Sequence, residues 1–114
     1  MKLFNGEIQY KEKTYHLVFN LNVMEEIQEE FGSIEAWGDM TDANGEPNAK
    51  AVKFGFMAML NEGIDIDNEA NGTNDPPLTL KQVGRMMTEI GLAEATKVVN
   101  DTVIASTESA EKNA

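Results

Sequence analysis

Between Tyr15 and Trp37 the apolar residues change period once, and that change constrains what this chain can fold into. In YHLVFNLNVMEEIQEEFGSIEAW, Tyr15, Leu17 and Phe19 alternate with His16 and Val18. Alternation puts those three on one face of a strand. Past Asn22 the spacing lengthens: Val23, Ile27 and Phe31 recur every fourth residue with Met24 beside them. That is the apolar stripe of an amphipathic helix. Asn22 stands at the junction. Its side chain is placed to accept from the amide of Glu25, which can reach back: the Asn form of a capping box. Gly32 suits the left-handed position that ends a helix. Ser33 then caps a short helix carrying Ile34 and Trp37.

The same two periods organise the rest. Ile8 and Tyr10 alternate with Glu7 and Gln9, so residues 7–19 read as a β-hairpin turning at Lys11-Glu12-Lys13. A lone hairpin is marginal in water, so its apolar face requires a helix against it. Asp42–Pro47 is a loop by its turn residues. A long helix is expected from Ala49 to Glu62, capped by Asn48 and stopped by Gly63. Val52, Phe56, Met59 and Leu60 share one face of it. Ala51, Gly55 and Ala58 form a small-residue strip that would let another helix approach closely. Residues 64–78, rich in Asp and Asn, read as a flexible loop ended by Pro76-Pro77. Thr79 and Gln82 form a capping box for a helix with the stripe Leu80, Val83, Met87 and Ile90, broken by Gly91. Leu92, Ala95, Val99 and Val103 mark a last helix. The expected fold is α+β: an N-terminal β-hairpin packed on four to five helices. It is a single domain over 1–107 with a flexible polar tail at 108–114.

Totals exclude several classes of function. At 114 residues the chain can bury one core and no more. Twenty acids against nine bases give a net charge of -11. That balance opposes contact with nucleic-acid phosphates and anionic membranes. There is no cysteine, hence no disulfide and no thiol chemistry. The opening MKLFNGE turns polar by Asn5, which is not a secretory pattern. The longest apolar run, Phe54–Leu60, is far too short to span a bilayer.

No catalytic, cofactor-binding or metal site is expected. His16 is the sole histidine, and its strand position points it away from the Tyr15/Leu17/Phe19 face. A general base needs a nucleophile and an orienting group, and neither is marked. Asp67–Leu78 partly fits a calcium loop, with Asp67, Glu69, Asn71 and Gly72 in place. Its twelfth position is Leu78, so the closing carboxylate is missing. No phosphate-binding glycine motif occurs.

Two off-pattern groups remain as partner-interface candidates. Glu25, Glu26, Glu29 and Glu30 form an acidic run on the first helix. The pairs 25/29 and 26/30 repel, and the last two carboxylates oppose the helix dipole. An ordinary solvated face is the simpler reading; a surface kept acidic to meet a basic partner is the functional one. Phe54 and Met57 lie on the far side of the 49–62 helix from its core stripe. They belong either to the core or to a contact with another chain.

These residues carry a resemblance. GEIQYKEKTYHLVFNLNVMEEIQEEFGSIEAWG resembles the N-terminal half of the small tail assembly chaperones of long-tailed bacteriophages and prophages. AVKFGFMAMLNEG and PLTLKQVGRMMTEIG look similar to later segments of the same family, so the resemblance covers roughly residues 6–107. It implies a non-enzymatic protein of the host bacterial cytoplasm, absent from the mature virion. Such a protein binds the hydrophobic, helix-rich tape measure protein, keeps it soluble and helps recruit tail tube subunits. In many such phages a frameshift extends the chaperone, and the tail after Ser106 sits where an extension would attach. The alternative expectations are a structural component of the tail or head–tail joining region, or an acidic inhibitor of a host DNA-binding enzyme. Self-association is expected through the small-residue strip or the Phe54 side.

Overall fold

A two-stranded antiparallel hairpin precedes five helices. They are β1 (Gly6–Tyr10), β2 (Lys13–Leu17), α1 (Leu21–Phe31), α2 (Ile34–Met40), α3 (Ala49–Asn71), α4 (Leu80–Ile90) and α5 (Leu92–Lys112). The computed structural model describes residues 5–42 and 45–112, with no side-chain description for 108–112. The α+β class expected from the two periods is therefore observed. The 108–112 part of the expected tail continues α5 as helical backbone. Residues 113–114 and 43–44 lie outside the described residues.

The hairpin pairs Ile8 with Tyr15 and Gly6 with Leu17. Residues directly opposite share a face, so these apolar side chains sit together. Tyr10 pairs with Lys13, which leaves a two-residue turn rather than the expected three. Lys11 and Glu12 have φ of 49° and 65°. Positive φ at both central residues is the turn whose twist matches that of the paired strands. Pairing stops at Leu17 rather than Phe19. Asn5 accepts the Phe19 amide through its side chain at 2.7 Å, and Val18 donates to the Met59 carbonyl at 3.3 Å.

That last bond explains how α3 lies against the sheet. Asn5 donates to the Leu17 carbonyl, so Leu17 faces β1 and its neighbours His16 and Val18 turn their backbones to the free edge. Helix α3 covers that edge. Gly63 is buried there, and a Cβ on it would fall deep inside contact distance of the His16 carbonyl oxygen. Gly63 is thus not a helix stop: it lies within α3, which runs on to Asn71 and ends at Gly72 in the left-handed conformation. The first eight residues of the expected 64–78 loop are helix. The remaining connection is pinned. Asn61 bonds both backbone groups of Leu78, and Asn68 bonds both backbone groups of Asp75.

The other helix ends follow local chemistry with one shift. Asn20, not Asn22, caps α1, its side chain accepting from the Val23 amide at 3.2 Å. The strand ends two residues earlier than its alternation suggests, so the helix also starts earlier. Asn22 is inside the first turn, and the capping box with Glu25 does not form. Ser33, Asn48 and Thr79 cap α2, α3 and α4 as expected, Thr79 with its reciprocal Gln82.

The core gathers Leu17, Val23, Ile27, Trp37, Val52, Phe56, Met59, Leu60, Val83 and Val99. Met86 is buried beside Met87, whereas Leu80 and Leu92 at the starts of α4 and α5 remain partly exposed. The small-residue strip of α3 is filled from within the molecule, not by another helix of a second chain. The Trp37 indole lies over Gly55 and donates through Nε1 to the Ala51 carbonyl at 2.9 Å. Thr41, Thr96 and Thr102 are buried, and each hydroxyl donates to a carbonyl of its own helical turn.

Candidate functional site

Helices α1 and α3 pack side by side, and their contact sets the acidic surface. Glu25, Glu26, Glu29 and Glu30 are all exposed on α1. Because the cap is Asn20, none of them lies in the first turn, so the helix dipole favours none of them. Continuing α3 past Gly63 places Asp65 and Glu69 on the same side of that helix as Glu62. Glu62 is anchored: one of its oxygens accepts from Asn20 Nδ2 at 2.7 Å and Asn22 Nδ2 at 2.8 Å. Asn20 and Asn22 line one side of a shallow cleft there, with Asp65, Ile66 and Glu69 on the other. Leu21, between the two asparagines in sequence, is 79% exposed.

These carboxylates crowd Glu26. Partial burial and then the negative charges of Glu62, Glu29, Asp65 and Glu25 hold its carboxyl above the usual range. Among the described residues Glu25, Glu26 and Glu29 make no ion pair, and only Glu30 reaches a cation, Lys50 at 3.7 Å. A carboxyl whose pKa is raised on folding stabilises the fold below its unfolded pKa. That contribution is lost as pH rises through the raised value. Glu26→Gln is therefore expected to raise stability at pH 7 by about 0.2–0.5 kcal/mol, the scale of like-charge pairs on helices. The gain should vanish at about pH 3, below the ordinary glutamate value, where the carboxyl is largely protonated in both states. Thermal melts of both chains at the two pH values, in low salt, check this. A loss at pH 7, or a gain equal at both, would show that the crowding is not there.

The remaining candidates are placed differently. Phe54 and Met57 are half-buried and pack against the core. Phe54 meets Phe31 edge to face, with centroids 5.5 Å apart, and so helps join α3 to the end of α1. That contact lies near the Lys50–Glu30 pair in sequence, one helical turn along α3. The structure thus brings Glu26 and Glu29 together with Glu62 and Asp65, and gives Phe54 a packing partner inside the chain. Asp65 and Glu69 fall outside the helix expected from the sequence because Gly63 reads as a stop, whereas Glu62 is that helix's last residue. The spacing of all three, one helix face, is the signal of a longer helix.

His16 bridges the hairpin to α3. Its Nδ1 lies 3.0 Å from Asp67 and its Nε2 3.8 Å from Glu7. With carboxylates at both ring nitrogens, this arrangement is a strut between elements and presents no nucleophile. Asp67 and Glu69 are helical rather than in a loop, so the calcium-loop arrangement of 67–78 does not form. No group of three or more His, Asp or Glu among the described residues is arranged to hold a metal ion. No described helix is long and apolar enough to cross a membrane. Comparison with protein-family models, curated proteins and solved structures returns no match. What fold and surface define is an α+β domain carrying a two-helix acidic face.

Proposed function

We propose that this chain is a tail assembly chaperone of a long-tailed bacteriophage or prophage. In this reading it is a binding protein and not an enzyme. It holds the tape measure protein soluble in the host bacterial cytoplasm, helps recruit tail tube subunits, and stays out of the mature virion. The observation that carries the binding role is the uncompensated charge around Glu26. A face that costs the free chain stability is relieved when a cation approaches it. Exposed Leu21 supplies an apolar contact at its border. A lysine-bearing apolar helix fits such a face, and long helices with apolar stripes need cover until they assemble. The resemblance of residues 6–107 to the chaperone family supplies the identity of that helix.

Co-expression with a tape measure protein from the same phage or prophage tests the reading. The chain is expected to keep that protein in the soluble fraction and to co-elute with it on gel filtration. Glu25→Gln, Glu26→Gln and Glu29→Gln combined should weaken the complex at least about 10-fold, since charge pairs at interfaces contribute on the order of 1.5 kcal/mol or more. Unchanged solubility with no co-eluting complex would rule the chaperone role out. Abundant copies in purified particles would instead favour a structural virion component.

A further inference from the structure

The chain has two tyrosines and one arginine, and all three line the same cleft. It lies between the hairpin and α4, walled by Tyr10 and Tyr15 on one side and by Leu78, Arg85 and Met86 on the other. The floor is apolar: Met86 is buried, and both tyrosine rings are half-buried against the core. The rim is cationic, in a molecule of net charge -11. Lys11 Nζ stands 5.4 Å from the centre of the Tyr10 ring, and Lys13 Nζ 5.1 Å from that of Tyr15. Two carboxylates already sit at the edges. Glu89 accepts from the Tyr10 hydroxyl and lies 4.0 Å from Lys11, and Asp75 lies 3.9 Å from Lys13. Arg85 is exposed and makes no ion pair among the described residues, although the chain carries 20 acids.

Tyr and Arg around an apolar floor are the residue types that dominate binding energy at protein interfaces. A guanidinium donates a planar fork that fits a carboxylate, which ammonium groups cannot match. We propose that this cleft docks an acidic peptide segment of a partner protein. Arg85 takes a carboxylate through its fork, and an adjacent apolar side chain of the segment settles between the tyrosines onto Met86. None of the residues of the acidic face takes part, so this site and the tape measure reading can fail separately.

The test uses the full chain and a fluorescein-labelled peptide of alternating Asp and Leu, followed by anisotropy and by NMR shifts of the Arg85 side chain. Saturable binding is expected below about 1 mM, the range of weak peptide docking. Arg85→Ala should weaken it at least 10-fold, and Arg85→Lys should restore only part. A peptide with Asn in place of Asp should bind at least 10-fold more weakly. Because Arg85 is exposed, circular dichroism of the variants should match that of the parent chain. Absence of binding up to that concentration overturns the proposal. So does equal binding of the Asn peptide, equal binding to Arg85→Ala, or full competition by acetate alone. Self-association lost in Arg85→Ala, without peptide binding, would assign the cleft to a second copy and overturn it too.

Discussion

Gly63→Ala is expected to destabilise the chain by about 2 kcal/mol, although alanine is the better helix former. Within a helix the change gains about 1 kcal/mol. Against it stands the His16 carbonyl, a backbone group of β2 that the new methyl would overlap. A backbone oxygen cannot rotate away as a side chain can. Either the hairpin edge separates from α3 or the helix shifts, and overpacking of this kind costs about 1–3 kcal/mol or more. Separation would also loosen the bond from the Val18 amide to the Met59 carbonyl. Gly84→Ala is the matched control. It too lies within a helix, but a Cβ there meets only the Lys53 side chain, at an ordinary 3.5 Å. That variant should gain about 0.5–1 kcal/mol. Thermal melts should therefore move in opposite directions, with Gly63→Ala falling by about 10 °C. A melting temperature for Gly63→Ala at or above that of the parent would mean that α3 does not run against the strand edge.

Trp37→Ala should cost about 3–5 kcal/mol, the range for a large aromatic removed from a core. The ring is 2% exposed, stacks on Phe19 with centroids 6.3 Å apart, and covers Gly55. Its removal leaves the α2–α3 contact without its main apolar contribution. Small domains hold together by only about 5–15 kcal/mol, so this variant sits near the limit of folding. Trp37→Phe keeps a ring but loses volume and the bond to the Ala51 carbonyl, and should cost about 2 kcal/mol. Urea unfolding followed by circular dichroism reads both. A loss under about 1 kcal/mol for Trp37→Ala would remove α2 from the core.

Where two local signals agreed, the sequence was legible. Ser33, Asn48 and Thr79 cap helices because a polar cap precedes an apolar stripe in each case. Asn22 misled because both Asn20 and Asn22 can cap, and the choice depends on where the strand leaves its ladder. That point is fixed by Asn5 and Met59, remote in sequence. Gly63 misled for a related reason. Glycine ends helices often, but here it answers a tertiary demand, the close approach of a strand edge. A helix that stops at Gly63 loses Asp65 and Glu69 and leaves the acidic face on one helix instead of two. Neither the small-residue strip nor Phe54 could be assigned from periodicity alone. Their partners, Trp37 and Phe31, come from other elements. The Tyr–Arg cleft gave no local signal at all, because its walls are more than sixty positions apart.

The proposed chaperone role puts the partner on the two-helix acidic face. Amide hydrogen exchange of the chain, free and in complex with the tape measure protein, addresses it most directly. New protection over 21–30 of α1 and 62–69 of α3 on binding is the expected result. Failure to form a complex, or protection confined to other elements with these two segments unchanged, would contradict it.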